Sequence, residues 1–227
     1  MARRQFLAIL RKDLLTELRT RETLLAMFLF AVLALVVFHY AFDPRGTLDM
    51  TPYAGGMLWV VFLFAALLGL NRSFAQEKDE GCLDGLLASP VDRVVVFAAK
   101  ACANLLFLAL MQLLVVPLFT LFFVQHGYAG HAGGIALVVL LADAGIAVLG
   151  TLLATLAVNT RARDLLLPIV FLPLVVPLLV AATTATTAII AEGAGLGAIG
   201  GRLLFLGAYD VVFLVAAYGT YDYLLGE

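Results

Sequence analysis

Residues 73–93 read "SFAQEKDEGCLDGLLASPVDR", a polar, acidic and turn-rich stretch set between two long apolar runs. Of the 227 residues, 63% are hydrophobic and only 13% are charged, whereas ordinary soluble domains are near half apolar and a quarter charged. A greasy chain that keeps one polar segment between two apolar runs is a membrane protein with a loop, and the question is what the loop does.

Working outward from that loop, a bilayer core needs roughly 20 apolar residues per helix. Six runs satisfy this, at about 24–42, 54–71, 94–124, 134–157, 165–190 and 203–224. The third and fifth exceed the requirement and are expected to tilt, kink or extend beyond the bilayer. The expected fold is an all-α integral membrane protein with six transmembrane helices. To these the sequence adds an N-terminal amphipathic interfacial helix and a short cytoplasmic coupling helix. Residues 1–227 form one transmembrane domain, with 1–23 as the leader and 73–93 as the cytoplasmic loop.

The leader "MARRQFLAILRKDLLTELRTRET" alternates apolar and charged residues, so it lacks the unbroken apolar core of a cleaved signal peptide. At helical spacing Phe6, Leu7, Leu10, Leu14 and Leu18 share a face, Lys12 and Arg19 lie opposite, and Glu17 interrupts the pattern. Such a basic helix belongs in the headgroup region; a solvated leader that only sets topology is the alternative.

Lys and Arg near the span ends set orientation. Arg3, Arg4, Arg11, Lys12, Arg19, Arg21, Arg72, Lys78, Arg93, Lys100, Arg161 and Arg163 fall on one side, twelve in all, against Arg45 and Arg202 on the other. Both termini and the 73–93 loop are therefore expected in the cytoplasm. The net charge of −2 gives nucleic-acid binding no electrostatic support. Cys82 and Cys102, both placed toward the cytoplasm, are too few for a disulfide framework.

Within the spans, Asp143 stands near mid-membrane in "LLADAGIAVLGTLLATLAV". An intramembrane carboxylate is costly and is read as a functional candidate, or else as a hydrogen-bonded packing residue. Asp210 is a weaker case of the same kind. Gly150 and Ala154 give the small-xxx-small spacing that lets helices approach closely. Pro168, Pro173 and Pro177 should bend or break the fifth span, as a hinge or as a static kink. His39, His126 and His131 lie toward the outer side, either as axial ligands for haem iron or as incidental residues.

No catalytic set is present. The sequence contains no G-x-x-x-x-G-K-[ST], H-E-x-x-H, C-x-x-C or G-x-S-x-G. "DGLLAS", Asp84 to Ser89, begins like the D-G-x-x-A-R motif of membrane phosphatidyltransferases. Ser89 replaces the required Arg, and the helical run "VFAAKACANLLFLAL" beyond it has no acids.

In the loop, Leu83, Leu86 and Leu87 recur at i, i+3 and i+4, framed by Glu77, Asp79, Glu80 and Asp84. Gly81 and Gly85 permit close backbone approach, and Pro90 ends the helix. So short a helix is not stable alone and must pack on its own spans, on the lipid surface or on a cytoplasmic partner.

The order of features here resembles the CcmB family, the haem exporter B permeases of cytochrome c maturation. Gly56 and Trp59 lead into the second span, Leu70, Arg72 and Phe74 lead out of it, and Glu77, Gly81, Leu83, Leu86, Leu87, Pro90 and Lys100 follow in order. "LRKDLLTELRTRE" and "RARDLLLPIVFLPLVVPLLVAATTAT" fit the family's leader and fifth span, while "AYDVVFLVAAYGTYDYLLGE" matches weakly. The resemblance implies a non-enzymatic ABC-type permease in the bacterial cytoplasmic (inner) membrane. Its ATP would be hydrolysed on a separate ATPase subunit. A second permease copy and other cytochrome c maturation membrane proteins would be partners. Haem would be the handled ligand, through export or through ATP-driven release of a haem-loaded chaperone, and no cofactor would be bound by the chain itself. Glu77, Gly81, Leu83, Leu86, Leu87 and Pro90 would form the ATPase-coupling contact. A permease for drugs, lipids or polysaccharide shares this layout and is the competing reading.

Overall fold

The computed structural model describes residues 2–42, 48–79, 93–124, 132–158 and 163–224. Among the described residues the secondary structure is helical. The helices are α1 (Ala2–Thr20), α2 (Glu22–Phe42), α3 (Thr51–Asp79), α4 (Arg93–Phe123), α5 (Ala132–Val158), α6 (Arg163–Glu192) and α7 (Gly200–Leu224). From α2 to α7, six helices are long and apolar enough to cross a membrane. The expected spans coincide with them, because an apolar run in lipid can satisfy its backbone only as a helix.

The bundle is built around α3 and α5. Of the spanning part of α3, 72% is buried, against 17% of α2 and of α7. α3 packs on α2, α4, α5 and α6, while α5 packs on α3, α4, α6 and α7. The composition explains the position, since small residues along α3 and α5 let neighbours come close on several sides. The Gly150 position bears this out: a Cβ there would run into the Leu70 side chain of α3. Ala154, one turn on, is also buried.

Helix α6 runs unbroken through Pro168, Pro173 and Pro177. Of the two expected outcomes, a bend or a break, the break does not occur. In an apolar medium the freed carbonyls are tolerated where neighbours can serve them. A separate bond ties α6 to α7, where the Tyr209 hydroxyl donates to the Leu174 carbonyl at 3.0 Å. Gly193, at φ +63°, then turns the chain out of α6, and the Ala194 N–H closes onto the Ala188 carbonyl at 3.0 Å.

The leader is helical, as expected. Leu7 and Leu18 of the expected stripe are about half exposed, whereas Ile9 and Glu17 are buried. Phe6 and Ile9 pack against Val96 and Ala99 of α4. The helix therefore packs one face on α4 and leaves Leu7, Leu15 and Leu18 exposed. Glu17 interrupts the apolar pattern for a local reason. Its Oε1 accepts the Leu24 N–H at 2.7 Å, an otherwise orphaned donor in the first turn of α2. Between the helices Arg21 adopts φ +56°, with its N–H on the Glu17 carbonyl.

Candidate functional site

Helix α4 carries the polar residues that organise the bundle interior. Lys100, Asn104 and Gln112 are spaced four and eight residues apart along α4, and all three are buried. Near the start of α4, Lys100 is only 4% exposed, and its Nζ meets Asp13 Oδ2 of the leader at 3.5 Å. Asp13 also pairs with Lys12 through Oδ1 at 3.0 Å. One turn further, Asn104 Nδ2 donates to Thr151 Oγ1 of α5 at 2.9 Å, and Thr155 Oγ1 donates to the Thr151 carbonyl at 2.8 Å. Further along again, Gln112 Nε2 donates to Asp143 Oδ1 at 2.8 Å.

The register is regular. Gln112 follows Asn104 by eight residues, and Asp143 precedes Thr151 by eight, as antiparallel helices in contact require. The two polar rungs are thus about 12 Å apart along the helix axes. Asp143 is 1% exposed and Gln112 3%. Asp143 therefore faces protein rather than lipid, in keeping with the cost of a carboxylate in hydrocarbon. The rung lines one wall of a groove of about 360 Å³ between α4 and α5.

A further interior polar contact joins α3 to α6. Trp59 Nε1 donates to Thr186 Oγ1 at 3.0 Å, with both residues buried. Asp210 of α7 lies against Gly145 of α5, and its buried Oδ1 has no hydrogen-bond partner among the described residues.

Of the outer histidines, His39 packs into an aromatic group, tilted against Phe122 at a centroid distance of 5.2 Å and edge-on to Phe123 at 6.0 Å. His126 and His131 lie outside the described residues, among which no group of His, Cys, Asp and Glu is arranged to hold a metal ion. Gly81, Leu83, Leu86, Leu87 and Pro90 of the expected coupling contact also lie outside the described residues. Glu77 falls in the last turns of α3, where the backbone alone is described. Pattern reading singled out Asp143, but it missed Gln112, Asn104 and the Asp13–Lys100 pair. The i, i+4 recurrence of amides and a lysine along an apolar helix was the available signal.

Comparison with known proteins places the chain in a family. Residues 4–221 match the family described as CcmB protein. The chain is 32% identical to Heme exporter protein B of Rhodobacter capsulatus over 173 residues, covering 76% of this chain and 78% of the relative. It is 29% identical to Heme exporter protein B of Bradyrhizobium diazoefficiens over 84% of this chain and 85% of the relative. It is 28% identical to the protein of that name from Haemophilus influenzae, over 91% and 90%. A match that runs from the leader into α7, on six spans joined by a buried polar stripe, means that this chain belongs to the CcmB family.

Proposed function

We propose that the chain is the transmembrane permease subunit of an ABC-type complex serving cytochrome c maturation, through haem export. The observation that carries this reading is the family match over residues 4–221, on a chain with six helices able to span the membrane. The relatives compared are heme exporters by name, which favours haem over drugs, lipids or polysaccharide as the handled class.

ATP hydrolysis then belongs to a separate ATPase subunit on the cytoplasmic side, and both termini lie on that side by the Lys/Arg asymmetry. The stretch 77–90 docks into that ATPase through Leu83, Leu86 and Leu87, with Glu77 on its acidic rim, Gly81 allowing close approach and Pro90 closing the helix. Nucleotide drives motion only if the ATPase binds it better in one arrangement of the whole complex than in another. Pairing of the motor with α4 is supported by sequence proximity, since the loop leads directly into Arg93. Through Lys100–Asp13 and the Ile9 contacts, α1 would move with α4.

The test is a pull-down with Leu86→Asp at wild-type expression. A charge placed in a dry apolar contact costs about several kcal/mol. The variant should insert normally, lose the ATPase and fail to support cytochrome c maturation. An undiminished ATPase band would refute the docking assignment.

A further inference from the structure

The leader helix α1 is tied to the bundle at two places, and both lie at the ends of membrane spans. Phe6 and Ile9 meet Val96 and Ala99, and Asp13 meets Lys100, all near the start of α4. Glu17 accepts the Leu24 N–H in the first turn of α2. α2 and α4 begin on the same side, since α3 returns the chain between them. From Phe6 to Glu17 these ties spread over about 16 Å of helix axis. A helix held along that length to the same end of two spans lies across the bundle, at the level where those spans enter the membrane.

The same attachment sorts the charges of the leader. Its two acidic residues, Asp13 and Glu17, are turned inward, onto Lys100 and onto the Leu24 N–H. Its five basic residues, Arg3, Arg4, Arg11, Lys12 and Arg19, are all exposed. Arg4, Leu7, Arg11, Leu15 and Leu18 follow the three-and-four spacing of a single helical face, and all five are exposed. By helical geometry that face lies opposite Ile9, which packs on α4.

We infer that this outer face of α1 binds anionic phospholipid, with Arg4 and Arg11 on the headgroup phosphates and Leu7, Leu15 and Leu18 at the acyl-chain boundary. Arginine stems lie along apolar surface while their guanidinium heads reach the phosphate level, so the intermixed leucines and arginines suit that layer. Charge selects the lipid. The leader exposes no acid, so a headgroup of net negative charge is favoured over a zwitterion, whose own cation would meet the arginines. An acidic protein surface would match the charge but would leave leucines that the membrane boundary accommodates. That the lipid belongs to the cytoplasmic leaflet rests on the orientation proposed above; the preference for its charge does not. Lipid held on this face fixes the start of α4 at the same level, through Asp13 and Lys100.

The experiment uses the full chain in phosphatidylcholine nanodiscs doped with a trace of photoactivatable lipid. The trace lipid is phosphatidylglycerol in one arm and phosphatidylcholine in the other, each with a diazirine on the acyl carbons nearest the glycerol. Both faces of a nanodisc are alike, and neither ATPase nor haem is needed, so failure here leaves the permease reading untouched. Labelled peptides are mapped by mass spectrometry. The anionic lipid should label residues 2–20 about fivefold more strongly than the zwitterionic one, the ratio that one basic residue near the surface supplies. Arg4→Gln combined with Arg11→Gln should remove that preference, and Arg4→Lys combined with Arg11→Lys should keep it. In 1 M salt the Debye length falls to about 3 Å, and the wild-type preference should collapse. Thermal unfolding identifies any variant that fails to fold, and the salt arm on the wild-type chain then carries the test. Equal labelling by the two lipids would overturn the inference, as would a preference that survives the paired glutamine substitutions or 1 M salt. So would cross-linking of Arg11→Cys to another protein chain in native membranes, which would make the face a protein interface.

Discussion

Gly55 and Gly56 are neighbours in sequence, yet they should respond oppositely to one added methyl. A Cβ at Gly55 would lie 2.9 Å from the Thr183 carbonyl oxygen and 3.0 Å from the Thr187 nitrogen. Both are backbone atoms of α6, so neither can rotate away. A Cβ at Gly56 would meet only the Thr183 methyl at 3.9 Å, an ordinary contact. Alanine gains about 1 kcal/mol over glycine in a helix interior, and this gain is common to both substitutions. Their difference therefore isolates the steric cost. Overpacking that needs backbone shifts costs about 1–3 kcal/mol. Gly55→Ala should accordingly be less stable than Gly56→Ala by about 1–3 kcal/mol, a factor of about 5 to 150 in the unfolding equilibrium. Trp59, the sole tryptophan, sits one turn along α3 and is bonded to Thr186 at this same helix contact. Its fluorescence during SDS titration in mixed micelles reports the separation of α3 from α6. If Gly55→Ala is as stable as Gly56→Ala or more so, the close approach of α3 and α6 at this point is wrong.

Glu17→Ala should remove the acceptor for Leu24 N–H, at a cost of about 1 kcal/mol, and speed amide exchange in the first turn of α2 without affecting its later turns. Lys100→Met and Asp13→Asn should be non-additive in a double-mutant cycle by about 0.5–3 kcal/mol, because the two groups share one partly buried pair; additive effects would show that α1 is not held to α4 through it. Reporter fusions at His131 and Gly195 should read as outside the cytoplasm, and a cytoplasmic signal at either would break the six-span orientation.

By itself the sequence determined the number, bounds and helical nature of the spans, since a run of twenty apolar residues in lipid has no other way to satisfy its backbone. Family membership was also legible, because Gly56, Trp59, Arg72 and the loop residues hold their order along the chain. Asp143 could be singled out by the cost of its charge alone. Only the tertiary structure decided what Asp143 faces. Helical periodicity in an all-apolar span carries little contrast between protein and lipid sides, so the partner had to come from the register of α4 against α5. The same holds for the leader, whose face toward α4 is marked by Asp13, Phe6 and Ile9. It holds also for Gly55 over Gly56, a choice made by where the α6 backbone passes. In lipid, apolar side chains do not choose between helix and bilayer, so close approach and the few buried polar pairs select the packing.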